Sequence, residues 1–400
     1  MTARHRRASA AAALLLVAAL GACGTPRPTA HSTDTPSTSR TPRSSPTPTP
    51  SPVSCAERVY ASMTPNQRIG QLILLGLANN QLGGAELAEI QSDNVGSVWF
   101  VDRTNVGVAG IRQVANAVQA QASAGATAGV RFWVAANQEG GIIQALNGPG
   151  FSVMPSAVSQ GQLAPSVLQS RALAWGNELR AAGVNLNFAP VMDVVPPGFD
   201  SQNQPIGVLQ REYGHDPATA GSHGAAFLHG MQQAGLAVTV KHFPGLGRVT
   251  GNTDFTTATD TVTTSSDPYL QSFKTGIDAG TDFVMVAIAT YTRIDSAHLA
   301  AFSPIVINQM LRGQLGFNGI VVSDDLGATA AVASIPAGQR ALAFEAAGGD
   351  LIISKTAAAT HSMVAALRAR AATDSSFADH VNQAALRVLQ TKQRWGLLPC

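Results

Sequence analysis

The chain has 400 residues, of which 45% are hydrophobic, and this length can bury a full-sized core. Its 26 lysine and arginine residues nearly balance 24 acidic residues and form no basic stripe, which argues against nucleic acid as a partner. The nine histidines show no ligand spacing and no nucleotide-binding loop is present, so we expect neither a metal site nor a cofactor.

The first 22 residues have the features of an export signal. Three arginines precede an apolar run at residues 10–20, which is too short to cross a bilayer. The run leads into Leu20-Gly21-Ala22-Cys23, which resembles the lipobox of bacterial lipoproteins. We therefore expect cleavage after residue 22, a lipid anchor on Cys23 and an outward-facing protein on the cell membrane. An ordinary cleaved signal peptide is the alternative.

Residues 23–54 contain the anchor cysteine and a stretch dominated by serine, threonine and proline. Such a composition cannot bury enough apolar surface to fold, so it predicts a disordered linker. The folded domain is then 55–400, with Cys55 and Cys400 at its two ends. Because thiols of exported proteins usually pair, we expect a disulfide between them, with two free thiols as the alternative.

Short apolar runs alternate with longer alanine-rich stretches along the domain. The strand candidates are residues 69–77, 95–101, 132–136, 184–189, 237–240, 282–287, 319–322 and 350–354. Helix candidates between them include residues 105–124 and 217–234. The runs are apolar throughout, which is typical of a parallel sheet covered on both faces. Eight such units predict a single (β/α)8 TIM-type barrel, with an open doubly wound sheet as the alternative.

Polar side chains follow several of these runs. Glu139 comes shortly after the third run, Lys241 and His242 follow the fifth, and Asp324 follows the seventh. Because barrel enzymes carry their chemistry on the loops after the strands, these residues are the candidates for a common site.

Five sequence blocks resemble glycoside hydrolase family 3, and they occur in the order found in that family. They are Gln138-Glu139-Gly140-Gly141, the stretch 188–194 (FAPVMDV), Arg211-Glu212-Tyr213-Gly214 preceded by Pro205-Ile206-Gly207, Lys241-His242-Phe243-Pro244-Gly245, and Ser323-Asp324-Asp325-Leu326. The Pro-Gly-x-Gly turn after Lys241 resembles single-domain β-N-acetylglucosaminidases of the NagZ type. The lipoprotein-like amino terminus resembles the LpqI-like actinobacterial form.

The resemblance implies a retaining exo-β-N-acetylglucosaminidase that removes terminal β-linked N-acetylglucosamine, with cell-wall peptidoglycan fragments as its substrates. It assigns Asp324 as the nucleophile that forms a covalent glycosyl-enzyme. It also assigns sugar binding to five residues: Asn137, Glu139, Arg211, Lys241 and His242. We expect a monomer whose partners are the carbohydrate and, through Cys23, the membrane.

The chain departs from the family pattern at its acids. The Asp-x-His dyad that supplies the proton shuttle falls on Asn252 and Asp254, and the histidine of the preceding turn falls on Leu246. Asn137 and Asn187 stand where the family has aspartates. We therefore predict that Asp254 acts as the acid/base and that sugar affinity is weakened or altered.

Two alternatives remain open at the level of sequence. A sugar-binding lipoprotein without catalysis would explain the lost acids, but it leaves the retention of Asp324, Lys241, His242 and Arg211 unexplained. A β-glucosidase-like member would require a different motif after Lys241 and His242.

Overall fold

The computed structural model describes residues 53–400, so the predicted signal segment, the lipidation site Cys23 and the linker up to residue 52 lie outside the described residues. Within residues 53–400, eight parallel strands form one sheet. The strands are β1 (Ile73–Leu77), β2 (Ser97–Phe100), β3 (Trp133–Ala136), β4 (Leu186–Asn187), β5 (Ala237–Phe243), β6 (Phe283–Val286), β7 (Ile320–Ser323) and β8 (Ile352–Ser354).

The sheet closes on itself. Strands β1 to β7 pair in sequence order and β8 pairs with β1. Val322 of β7 bridges Leu351 at the start of β8, and the backbone N–H of Ser323 donates to the Leu351 carbonyl at 3.0 Å. The predicted (β/α)8 barrel is confirmed, and the open doubly wound alternative is wrong.

Helices cover the outside of the barrel. They are α1 (Cys55–Ser62), α2 (Pro65–Gly70), α3 (Gly84–Ser92), α4 (Gly107–Gln119), α5 (Ala124–Thr127), α6 (Ala157–Gln160), α7 (Pro165–Ala181), α8 (Pro217–Gln233), α9 (Leu270–Asp278), α10 (Ala337–Ala346), α11 (Ala357–Thr373) and α12 (Ser375–Arg394), with a π-helical segment at Ile305–Gln314. Short 3-10 turns lie at Ala78–Asn80, Ala300–Phe302 and Ala330–Val332. Short accessory strands pair Gln138–Gly140 with Ile143–Gln144, and join Thr259–Asp260, Thr290–Tyr291 and Asp295–Leu299. Between residues 53 and 400, every helix is too short or too polar to cross a membrane.

Several predicted element boundaries differ from the structure, and local chemistry explains the largest difference. The predicted first strand began at Ile69, but this residue lies in α2. The helix forms because the Thr64 side chain caps it, accepting from the Gln67 N–H at 3.2 Å, and because Pro65 suits its first turn. The helix predicted at residues 105–124 ends at Gln119.

Strand β5 is longer than predicted and β4 is shorter. The apolar run ended at Val240, but pairing with neighbouring strands continues through Lys241, His242 and Phe243. Lys241 and His242 therefore stand on a strand of the barrel wall. A side chain on a strand is held more rigidly than one on a loop.

The two ends of the described domain meet at the amino-terminal end of the barrel. Cys55 and Cys400 form the predicted disulfide, with their Cα atoms 6.1 Å apart. Nearby, Trp395 packs edge to face against Trp133, the first residue of β3, and its indole N–H donates to Asp282 at 2.7 Å. Cys55 and Cys400 thus lie at the end of the barrel opposite the carboxyl ends of the strands.

Replacing Cys55 and Cys400 together by serine should lower the free energy of unfolding by about 2–5 kcal/mol, because the disulfide restricts the unfolded chain over a long loop. The two cysteines are separated by 345 positions. Denaturant unfolding followed by circular dichroism measures the difference. Reduced wild type is the matched control and should behave as the double variant does; equal stability of all three forms would contradict the prediction.

Candidate active site

A cavity of about 330 Å³ opens at the carboxyl ends of the barrel strands. Its charged and amide side chains are Asn137, Arg211, Lys241, His242, Asn252, Asp254, Asp324, Asp325 and Lys355, and its large apolar side chains include Trp99, Phe188, Phe255 and Met285. The structure thus brings together the predicted site residues of the barrel, with the exception of Glu139.

Glu139 lies behind the cavity wall in a buried ion cluster. Its carboxylate accepts hydrogen bonds from Arg211 Nε and Nη2, each at 2.8 Å, and Lys241 Nζ lies 2.5 Å from Glu139 Oε1. Burial alone would raise the pKa of Glu139, but the charges of Arg211 and Lys241 outweigh it and lower the pKa to about 2. Both carboxylate oxygens are therefore engaged. The structure places Glu139, predicted to bind the sugar, as the counter-ion of two basic residues instead.

Lys241 and Asn137 form the part of this cluster that faces the cavity. The Lys241 ammonium donates to Asn137 Oδ1 at 2.8 Å, and the lysine is only 2% exposed. Burial lowers the pKa of Lys241, and the Glu139 carboxylate opposes this effect. Because the Asn137 oxygen is engaged by Lys241, this amide offers its N–H donors to the cavity. An aspartate at position 137 would offer acceptors only.

His242 is oriented by a buried aspartate. Its Nδ1 donates to Asp193 Oδ2 at 2.7 Å, and Asp193 Oδ1 also accepts from the Leu246 N–H at 2.7 Å. With the Nδ1 proton directed to Asp193, the Nε2 atom can accept from Arg211 Nη2, 3.4 Å away. Asp193 therefore fixes both the ring of His242 and the start of the loop that follows β5.

Asp324 and Asp325 follow β7 and have different environments. Asp324 lines the cavity and is half-buried, and its backbone N–H donates to the Val286 carbonyl at 3.1 Å. The Asp325 carboxylate accepts from the backbone N–H groups of Gly327 and Lys355, each at 2.8 Å. Burial raises the pKa of Asp325 to about 6, with Asp324 adding to the effect. Asp325 thus anchors the loop, while Asp324 lines the cavity and its Oδ1 accepts from the Asp325 N–H at 2.8 Å.

Asp254 reaches the cavity from the loop after β5. The Asn252 side chain accepts from the Asp254 N–H at 3.0 Å, and the Asp254 carbonyl accepts from the Ala330 N–H at 3.3 Å. The second contact docks this loop on the segment that follows Asp324. The side chain is exposed, yet desolvation where it faces the cavity, followed by the Asp324 charge, raises the pKa of Asp254.

Asn187, which stands at a family aspartate position, does not line the cavity. It is fully buried, and its amide exchanges two hydrogen bonds with the Gln138 backbone, accepting from N–H and donating to the carbonyl, each at 3.0 Å. A carboxylate could accept the first bond but could not donate the second. Asn187 therefore joins β4 to the segment after β3 through its two hydrogen bonds.

The structure adds residues that sequence reasoning did not select. Lys355 lines the cavity directly after β8, and Phe255, 81% exposed, lines it beside Asp254. Asp193 lies in the family-like stretch 188–194, and its role as the partner of His242 becomes evident only in the structure. The position of Lys355 directly after the last apolar run was a signal for it, since the same reasoning selected Lys241 and Asp324.

Two side-chain clusters among residues 53–400 have the composition of a metal site. They are Glu89, Asp93 and His361 in one place, and Asp200, Glu212 and His215 in another. In each, the candidate ligand atoms lie within 4.8 Å of one another. Neither cluster lines the cavity.

The family of the chain is established by comparison with known proteins. Residues 64–391 match the glycosyl hydrolase family 3 N terminal domain, which spans most of the chain. The chain belongs to glycoside hydrolase family 3. As a family 3 member with named hexosaminidase relatives, it is a glycoside hydrolase, and the prediction of an enzyme is confirmed.

Several relatives support this assignment. A β-N-acetylhexosaminidase from Beutenbergia cavernae DSM 12333 is 45% identical, with a TM-score of 0.82, covering 83% of this chain and 99% of that chain. A β-hexosaminidase from Stenotrophomonas maltophilia (strain K279a) is 33% identical over 291 residues, 70% of this chain and 82% of that protein. M tuberculosis LpqI shares the fold at 23% identity, with a TM-score of 0.71, covering 85% of this chain and 96% of that chain.

The two asparagines at family aspartate positions provide a matched pair of substitutions. Asn187→Asp should lower the free energy of unfolding by about 1–3 kcal/mol, because it leaves the buried Gln138 carbonyl without its donor, while KM for an aryl glycoside stays unchanged. Asn137→Asp should change KM several-fold, because it alters the donors facing the cavity. Thermal unfolding and steady-state kinetics measure the two effects. A KM change in Asn187→Asp as large as that in Asn137→Asp would contradict the assignment.

Proposed function

We propose that this family 3 hydrolase is a retaining exo-β-N-acetylglucosaminidase that removes terminal β-linked N-acetylglucosamine. One observation carries the proposal: two carboxylates, Asp324 and Asp254, line the same cavity as Arg211, Lys241 and His242. A pair of carboxyl groups on either side of a glycosidic bond is the usual requirement for hydrolysis. The relatives named as β-N-acetylhexosaminidase and β-hexosaminidase support the choice of sugar.

In the proposed first step, an Asp324 carboxylate oxygen attacks the anomeric carbon as the bond to the leaving oxygen breaks. Asp254 donates its proton to that oxygen, so the aglycone leaves as a neutral alcohol and the sugar is covalently bound to Asp324. In the second step, Asp254 takes a proton from water, and the water oxygen displaces Asp324 from the anomeric carbon. Asp324 suits the first role because it follows β7 directly and Asp325 holds the adjoining backbone.

The environment of Asp254 suits a general acid. A carboxyl group must be protonated to donate to the leaving oxygen, and desolvation, followed by the nearby Asp324 charge, raises the pKa of Asp254 and so favours its protonated form. After the glycosyl bond forms, the charge on Asp324 is lost, so the pKa of Asp254 falls. The same group then becomes a better base for the second step.

Sugar hydroxyls would be bound by Asn137, Arg211, Lys241 and His242, with Glu139 positioning the two cations from behind the cavity. Lys355 adds a positive charge to the cavity, and Phe255 adds an exposed ring. Positive charge and an aromatic ring at the rim of the cavity would favour the binding of an aglycone that bears carboxylates. We therefore propose peptidoglycan fragments, whose lactyl and peptide groups are anionic, as the natural substrates.

The proposal includes an outward-facing location. A signal segment at residues 1–22 and a lipid on Cys23 would hold the protein on the cell membrane through the linker up to residue 54. We propose that the protein acts there as a monomer resembling the LpqI-like form. Globomycin-sensitive processing of the full-length protein, and loss of membrane association in Cys23→Ser, would test this location.

Turnover of an aryl N-acetyl-β-glucosaminide tests the two catalytic roles. Asp324→Ala and Asp254→Ala should each lower kcat by about 10²–10⁴-fold or more, because each removes a group that reacts with the sugar. Added azide should restore turnover of Asp254→Ala with a β-glycosyl azide as the product, because azide displaces Asp324 from the glycosyl-enzyme with net retention. Formation of an α-glycosyl azide by Asp254→Ala would reverse the two assignments, because azide would then have replaced the nucleophile.

The wild type separates this function from the alternatives. Cleavage of aryl β-glucoside in preference to the N-acetylated substrate would identify a β-glucosidase-like enzyme. Absence of turnover on any aryl glycoside, together with measurable N-acetylglucosamine binding, would identify a sugar-binding protein that has lost catalysis.

The pH profile should reflect the raised pKa of Asp254. Because the general acid must be protonated, kcat/KM should fall as pH rises through this pKa, and the fall should occur above the ordinary range of an aspartate. The limb should disappear in Asp254→Ala with a 2,4-dinitrophenyl leaving group, which departs without protonation. Persistence of the same basic limb in that variant would exclude Asp254 as the acid.

A further inference from the structure

The segment between β4 and α8 contains a three-residue cluster that the glycosidase chemistry does not use. Asp200, Glu212 and His215 each bring a ligand atom within 4.8 Å of the other two. His215 Nδ1 lies 3.6 Å from Asp200 Oδ1 and 3.1 Å from the Val195 carbonyl oxygen. Two carboxylates and an imidazole are thus assembled from two separate parts of one long connection.

The environment of the Glu212 carboxylate independently indicates that this cluster binds a ligand. The residue is only 2% exposed, and its Oε2 is buried without a hydrogen-bond partner in residues 53–400. An unpartnered buried carboxylate oxygen is costly unless a cation or proton neutralises it. Over the same residues, neither Glu212 nor Asp200 forms an ion pair with lysine or arginine.

In the second cluster of this composition Glu89 Oε2 is likewise buried without a hydrogen-bond partner among residues 53–400, but there the protein itself supplies a positive charge. There, Arg368 Nη1 lies 2.7 Å from Asp93 Oδ1, and His361 Nδ1 lies 2.8 Å from Asp93 Oδ2. A guanidinium already supplies the positive charge and would repel a cation. The Asp200, Glu212 and His215 cluster has no such group and is the better candidate.

We propose that Asp200, Glu212 and His215 bind a zinc ion. Carboxylate oxygen and imidazole nitrogen are ligands that zinc accepts at about 2.0–2.2 Å, and three protein ligands with a water complete a tetrahedral site. The Asp200 and His215 side chains are 38% and 44% exposed, so the ion and its water have access from solvent. The sequence analysis expected no metal site, because these ligands come from separate segments without recognisable spacing.

The proposed ion would act on the sugar site through Arg211. Glu212 follows Arg211 directly, and Asp200 lies in the preceding limb of the same connection. Packing of the two limbs is already close, since a Cβ on Gly207 would lie 2.6 Å from the Asp200 Cα atom. Zinc would join the limbs and hold the Arg211 guanidinium at Glu139. This inference concerns the fold of the connection and does not depend on the proposed substrate.

Metal content and thermal unfolding test the site in the purified protein. After treatment with a chelator and dialysis against ZnCl2, the wild type should retain about one zinc per chain and gain about 5 °C in Tm at saturating zinc. Glu212→Gln and His215→Ala should each lose the bound equivalent and the Tm gain. His215 is half-exposed, so its variant should fold as the apo wild type does. Glu89→Gln, in the arginine-paired cluster, is the matched control and should bind zinc as the wild type does.

The outcomes separate the possibilities. Zinc at all three ligands in a crystal, located by anomalous scattering, would support the proposal. It would be overturned by substoichiometric zinc, by equal binding in Glu212→Gln and His215→Ala, or by loss of binding in Glu89→Gln. Binding of calcium with no response to zinc would also overturn it, because the imidazole ligand would then have no role.

Discussion

The active-site end of the barrel depends on one buried interaction, the contact of Glu139 with Arg211 and Lys241. A carboxylate removed from water needs neutralisation, and here two cations supply it from β5 and from the connection after β4. The same contact brings Arg211 to His242 and Lys241 to Asn137. The polar wall of the cavity is therefore one electrostatic unit, and loss of Glu139 would leave both Arg211 and Lys241 without their counter-ion.

The fold was predictable because each barrel strand is buried on both faces. Apolar runs mark such strands in sequence without any alternation, and eight of them predicted the barrel. Boundaries were less predictable, since they depend on contacts that compete with composition. The Thr64 cap converts the start of the first run into helix, while pairing between strands carries β5 past Val240 into charged residues.

The site residues were predictable where they directly follow a predicted strand of the barrel. Together with the family resemblance, that position predicted that Asp324, Lys241 and His242 lie in one site. It could not tell which side of the cavity wall a side chain occupies, so Glu139 was assigned to the sugar although its carboxylate is bound to Arg211 and Lys241 behind the wall. Lys355 was missed because a single lysine after the last strand forms no motif. The role of Asp193 was not predictable either, because the partner of a buried carboxylate depends on tertiary contacts.

The disulfide between Cys55 and Cys400 also determines how the described domain can be attached to a surface. Cys55 and Cys400 join at the amino-terminal end of the barrel, whereas the cavity opens at the carboxyl ends of the strands. Immobilisation through Cys55 or Cys400 would consequently leave the cavity facing the medium. A pulling force applied at these two residues would be borne by the covalent bridge, so the barrel wall and its ion cluster would carry little of the load.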